Sequence, residues 1–383
     1  MQVLQGCCTV ETQNFASLQF KNTNFDTTFM NDIQTLSEQA IELLQQLIRI
    51  PSFSREEDKT ADAIQEFMLQ RGIKMHRKLN NLWAWNKYFD PAKPTILLNS
   101  HHDTVKPNSG YTRDPFEAKI EDGKLYGLGS NDAGGCLVSL IAVFLYFYDK
   151  ENLKYNFCLA TTAEEEISGV NGLELIIPDL GDLDFGIVGE PTQMQLAIAE
   201  KGLMVLDCTA HGKAGHAARE EGENAIYKAL PDIDWFRNYK FPKESEVFGP
   251  VKMSVTIINA GSQHNVVPAS CVFTVDVRVT DAYRNEEVLE IIRQHVSCDV
   301  QPRSIRLKPS KIDTDHPIVK AGIALGRTTY GSPTTSDQSL LDIQSIKVGP
   351  GDSARSHTAD EFVYVDEIRE GIALYVKMLE QMV

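Results

Sequence analysis

Thr95-Ile96-Leu97-Leu98-Asn99-Ser100-His101-His102-Asp103 is the stretch that sets the fold, a short apolar run that ends in candidate metal ligands. An apolar run of this length between helical segments reads as a buried strand. The arrangement recurs three times. NFCLA at 156–160 precedes Glu164-Glu165-Glu166, FGIV at 185–188 precedes Gly189-Glu190-Pro191, and SIKV at 345–348 precedes a glycine-rich loop and His357. Strands alternating with helical segments of about 10 to 15 residues predict an α/β class with a mostly parallel sheet and helices on both faces. In such sheets the ligand crevice lies beyond the carboxyl ends of the strands, where all these polar groups fall. A fifth element, GLGSNDAGG at 127–135, places Asp132 just before the apolar stretch 136–148, which is too short for a membrane span and reads as a buried core helix.

Between about 197 and 308 the rhythm changes. The order is strand at 203–210, helix at 224–239, strand at 251–258, strand at 271–279, helix at 285–296 and strand at 304–308. That β-α-β-β-α-β order predicts a ferredoxin-like α+β domain, inserted at 197–308 into a discontinuous catalytic domain formed by 30–196 and 309–383. At the other end, Leu36, Ala40, Leu43, Leu44, Leu47 and Ile48 have helical spacing and stop before Pro51. Residues 1–29 are polar and lack a period. They read as an extension: loose, untranslated with Met30 as the true start, or an ordered arm.

Composition narrows the functions. With 383 residues, 42% of them hydrophobic, and a net charge of −16, the chain is an ordinary core-forming protein of two-domain length. Its acidic balance, with no basic run interleaved with aromatics, argues against a nucleic-acid partner. Seven scattered cysteines without a CxxC indicate neither a disulfide framework nor a cysteine-ligated zinc site. With no signal-peptide pattern and no membrane-spanning run, the expected location is cytoplasmic.

Singly, a His or Glu after a strand is an ordinary loop residue. Two histidines and several carboxylates at equivalent strand ends are a coincidence that points to metal. Mixed His and carboxylate ligation suits zinc, with cobalt or manganese as substitutes, better than calcium or magnesium. The loop GLGSNDAGG lacks both the GxGxxG spacing and the Walker lysine of phosphate-binding turns.

From Met30 onward the sequence resembles the co-catalytic zinc metallopeptidase family of acetylornithine deacetylase and succinyl-diaminopimelate desuccinylase (peptidase family M20). The motifs LLNSHHDTV, YGLGSNDAGG, TTAEEEISG, IVGEPT and SHTADE carry the likeness, in that order. The resemblance implies two metals: one held by His101, Asp132 and Glu190, the other by Asp132, Glu166 and His357, with Asp132 bridging. It implies that Asp103 fixes the His101 ring and that Glu165 is the general base, the two adjacent glutamates dividing ligand and proton-shuttle roles. It also implies that His216 reaches across a homodimer, formed through the inserted domain, to stabilise the oxyanion in the partner's site. Arg278, Asn265, His264 and Lys201 would bind substrate. Three departures stand out. Ser100 replaces a usual glycine, His264 replaces a usual asparagine, and three consecutive glutamates leave the third motif readable in a second register.

The implied reaction is hydrolysis of the amide in an N-acyl amino acid, a small-molecule substrate. N-acetyl- or N-succinylornithine in arginine biosynthesis is the first choice. Alternatives are succinyl-diaminopimelate, a dipeptide or other aminoacylase substrate, and last a non-catalytic binding role.

Overall fold

The computed structural model describes residues 24–383. The greater part of the expected N-terminal extension, residues 1–23, lies outside the described residues. The first helix, Asn24–Ile48, starts before Met30. Its opening turns carry no heptad-like pattern to announce them, yet the Phe29 ring meets Tyr146 edge-on at 6.2 Å.

The run at 95–99 becomes the centre of a nine-stranded sheet. Thr95–His101 pairs in parallel with Asn156–Thr162 on one side and Phe185–Val188 on the other, and Gln344–Lys347 pairs in parallel with Phe185–Val188. Asn81–Trp85 and Leu196–Glu200 flank this parallel core in antiparallel fashion. Alternation along the central strand builds two layers. Ile96 and Leu98 join the large core beneath the helices, whereas Leu97 joins a smaller cluster with Leu173 and Ile176 on the opposite face.

The helix Gly135–Tyr148 runs through the middle of the large core, with Phe144 and Phe147 fully buried. It packs on Asn24–Ile48 and on the C-terminal helix Val365–Glu380. Burial on every side explains why its sequence is apolar all round, the pattern of an interior helix.

Residues 202–302 form a separate antiparallel sheet, ordered Lys252–Ala260, Ser270–Val279, Gly202–His211, Asp299–Pro302. With helices Ala225–Asn238 and Asn285–His295 this is the ferredoxin-like arrangement. Met204, Leu206, Cys208 and Ala210 alternate inward to a core of their own. One expectation is corrected. The last strand is Asp299–Pro302, with Val300 opposite Cys208, and not 304–308. The alternation Ile305, Leu307 belongs to the return segment, which touches the strand Gly202–His211 only through an isolated bridge from Leu307 to Leu203, while Asn285 Nδ2 donates to the Ile305 and Leu307 carbonyls at 3.0 and 2.8 Å.

Truncating Phe144 to Ala in this core is expected to cost about 3–5 kcal/mol. Urea denaturation reads the change, and a loss below about 1 kcal/mol would show that the helix is not held by the core as described.

Candidate metal centre

Four of the five predicted ligands sit at the same edge of the parallel sheet because each ends or follows one of its parallel strands. His101 ends the central strand. Glu165 and Glu166 lie in the short turn Glu165–Ile167 after Asn156–Thr162, and Glu190 lies two residues past Phe185–Val188. Asp132 comes from the turn Ser130–Gly134 that feeds the buried helix, and His357 from the loop after the fourth parallel strand.

These residues form two groups that share Asp132. His101, Asp132 and Glu190 offer ligand atoms within 4.8 Å of one another, as do Asp132, Glu166 and His357. The His101 Nε2 atom is buried and has no hydrogen-bond partner. It stands 3.6 Å from Asp132, 3.7 Å from Glu190 and 3.8 Å from Glu165, beyond hydrogen-bond reach and aimed into the carboxylates. A buried nitrogen with a free lone pair facing three carboxylates is the donor set of a cation site, and the mixed nitrogen and oxygen chemistry fits zinc.

The electrostatics follow from crowding. Burial raises Glu190 to about 8, with Asp132 adding to the effect and His101 opposing it. Burial also lifts Glu165 well above the carboxylate range. For His101 burial acts downward, but the carboxylates of Asp103, Asp132, Glu165 and Glu190 around it prevail and, with no cation among them, hold it well above its ordinary value. His357, 2.9 Å from Glu166, is raised to about 9 by that contact.

The three glutamates separate cleanly. Glu164, with φ 56°, turns back so that its Oε1 accepts from Asn171 Nδ2 at 3.0 Å. Glu165 faces His101 and Glu166 faces His357. Asp103 explains the division. Its two carboxylate oxygens accept the backbone N–H groups of Glu165 and Glu166 at 3.1 and 3.2 Å, and Ser54 Oγ donates at 2.7 Å. His101 Nδ1 lies 3.0 Å from the Asp103 carbonyl and 3.3 Å from its carboxylate, so one residue orients both the ring and the turn. His102 is buried and bridges Thr60 and the Asn80 carbonyl. Burial lowers it to about 4, making it a neutral strut.

A cavity of about 310 Å³ opens over the ligands, lined by Asp132, Glu165, Glu166, Glu190 and His357 and also by Tyr330, Ser332, Thr334, Thr335 and Lys347. The substrate-binding candidates do not line it. Arg278 is engaged by Asp276 on its own strand, with Nε and Nη2 donating at 2.9 and 3.1 Å. His264 and Asn265 are exposed, and Lys201 lies over the Phe248 ring at 5.2 Å. His216 is exposed on the two-stranded ribbon it forms with Val266–Val267, and its Nδ1 accepts from the Ala218 N–H at 3.1 Å.

Two carboxylates were missed. Glu361 is buried and accepts the backbone N–H groups of Gly129, Asn131 and Asp132 at 3.0, 2.8 and 2.9 Å, clamping the loop that carries Asp132. Burial raises it to about 8. Its signal was present as the last residue of SHTADE. Asp337, raised to about 6 by burial, accepts from Thr162 Oγ1 at 2.8 Å beside His101 in the sheet register. No motif flagged it.

A model of peptidase family M20/M25/M40 matches residues 97–381. Succinyl-diaminopimelate desuccinylase 2 of Ruegeria sp. (strain TM1040) is 26% identical over 374 residues, covering 88% of this chain and 94% of that protein. The LysW-lysine/LysW-ornithine hydrolase of Sulfurisphaera tokodaii is 28% identical over 353 residues, covering 89% and 95%. Among solved structures, the YXEP protein of Bacillus subtilis, described as a dinuclear metal binding peptidase from the M20 family, superposes with a TM-score of 0.69. It is 15% identical, with coverage of 91% of this chain and 100% of that one.

Replacing Glu361 by Ala orphans three backbone donors and frees the Asp132 loop. Zinc affinity, measured by competition with a chromogenic chelator, is expected to fall about 10- to 100-fold while the far-UV spectrum is unchanged. An unaltered affinity would remove Glu361 from the support of the site.

Proposed function

The chain belongs to peptidase family M20/M25/M40, and from that premise we propose that it is a dinuclear zinc hydrolase that removes an acyl group from an N-acyl amino acid. One observation carries the reading: two ligand groups share Asp132, and a carboxylate that belongs to neither group, Glu165, lines the same cavity. In this reading His101, Asp132 and Glu190 hold one cation, and Asp132, Glu166 and His357 the other. Cobalt and manganese are the expected substitutes. When bound, the pair polarises the scissile carbonyl and makes water a stronger nucleophile.

The protein's own part is positioning and proton transfer. Glu165 accepts the proton of the attacking water at its carboxylate and delivers it to the leaving amine. Asp103 keeps that carboxylate aimed by holding the Glu165 and Glu166 N–H groups. The wall of Tyr330, Ser332, Thr334 and Thr335 confines the acyl amino acid against the ligands.

N-acylornithine is the substrate class we favour. One relative is named for hydrolysis at lysine and ornithine and another for removal of succinyl, which together support a basic amino-acid leaving group and a small acyl group. Desuccinylation of diaminopimelate is the second reading, favoured by the name of that same relative. A panel of N-acetyl and N-succinyl amino acids with added zinc or cobalt tests both, and hydrolysis of none would refute the deacylase reading. Within the panel, Glu165→Ala is expected to keep its zinc and lose about 10²- to 10⁴-fold in kcat. Full turnover with full metal would take the proton away from Glu165.

We also propose that His216 acts from a second copy. The open edge strand Lys252–Ala260 exposes Ile257 and Ile258, as an edge awaiting a partner does. Light scattering combined with assay of His216→Ala is expected to show a dimer with reduced kcat. A fully active monomeric wild type would exclude the arrangement.

A further inference from the structure

Lys347 is a buried charged residue at the end of the strand Gln344–Lys347, where it borders the cavity over the candidate ligands. Its side chain is 4% exposed, and that of its partner Glu200, on the neighbouring strand Leu196–Glu200, is 0% exposed. A buried ion pair of this kind repays little of its desolvation and is weak evidence of a role in stability. The other contacts of the two side chains show where it acts.

Lys347 Nζ donates to Glu200 Oε1, to the Thr334 carbonyl at 3.2 Å and to Thr334 Oγ1 at 3.1 Å, so its three protons are all committed. The other Glu200 oxygen accepts from Ser336 Oγ at 3.2 Å. Ser332 Oγ in turn meets the Thr334 carbonyl at 3.2 Å and Thr334 Oγ1 at 3.1 Å. One residue further on, Asp337 is tied to Thr162 beside the His101 strand. Segment 332–337 is therefore anchored to this ion pair and to the strand next to His101, and in addition Ser332 pairs with the Leu196–Glu200 strand and Thr335 Oγ1 donates to the Lys201 carbonyl at 3.4 Å. The same segment lines the cavity together with the ligand carboxylates and Lys347.

We propose that the Lys347–Glu200 pair is a positioning device for substrate: it holds the hydroxyl-bearing wall at Ser332, Thr334 and Thr335 at a fixed distance across the cavity from the metal ligands. The inference rests on the cavity being the reaction site. Lys347 itself is not the receptor for a substrate carboxylate, because its charge and all three donors are already taken. The wall it fixes is polar and uncharged at Ser332, Thr334 and Thr335, a surface better matched to a polar acyl amino acid than to a long aliphatic acyl chain.

The test is the double substitution Lys347→Met with Glu200→Leu, which removes both charges and avoids the stranded charge of either single change. Apolar replacement of a buried pair is often neutral for folding, so the thermal midpoint and zinc content are expected to match wild type. Hydrogen–deuterium exchange is expected to speed up in residues 332–337. With the acyl amino acid that wild type hydrolyses, KM is expected to rise about tenfold with kcat within about threefold. Unchanged exchange in that segment would overturn the proposal, as would unchanged KM or a loss of zinc that accounts for the defect. The exchange measurement needs no substrate, so it still decides the matter if the wild type hydrolyses nothing and the deacylase reading fails.

Discussion

The controlling constraint is the gathering of carboxylates in a part of the molecule with little water. Asp103, Asp132, Glu165, Glu166, Glu190, Asp337 and Glu361 all come to one end of one sheet. Two like charges about 4 Å apart near a protein surface repel by roughly 4 kcal/mol, so a cluster of this size stands only if positive ends are supplied from close by. The backbone supplies several of them. Glu361 takes three N–H groups and Asp103 two, and in both cases the donors belong to the turns that carry other acidic residues. The remaining charge, on Asp132, Glu190 and Glu166, is left facing His101 and His357, which is why the cluster reads as a seat for cations.

The architecture provides these positions cheaply because a parallel sheet sends every carboxyl end the same way. Glycines then let the loops close over one another. A Cβ on Gly134 would meet the Gly129 carbonyl oxygen at 2.4 Å, and one on Gly349 would meet Cys136 Sγ and the Glu190 carbonyl at 2.6 Å. The close approach of loops 127–135 and 349–351 brings Asp132 to Glu190, so the glycine-rich stretch serves packing and not phosphate binding.

This division explains what could be read in advance. Strand runs such as TILLN and FGIV were legible because burial imposes composition locally, and the ligands were legible because they follow those runs at short, fixed distances. Pairings across long sequence separations left no such mark. SIKV showed an apolar strand but not that its lysine would meet Glu200, 147 residues earlier. The alternation at 304–308 reads as a strand from its pattern alone, and nothing local announces that Asn285, a side chain some 20 residues away, would take its carbonyls. Arg278 was legible as a guanidinium on a strand, but its bidentate contact with Asp276 shows a side chain held within its own domain.

That contact bears on how the two halves cooperate. Each half closes a hydrophobic core of its own. The polar link is specific. Arg306, in the segment returning from the small domain, donates to Glu174 and, at 2.7 Å, to the Ser168 carbonyl, the residue that ends the turn bearing Glu165 and Glu166. The path of the small domain is thus tied to the turn that carries the chemistry, while Arg278, Asn265 and His216 are presented on its own surface. The Arg306 contact is a direct polar connection between the small domain and the turn of Glu165 and Glu166.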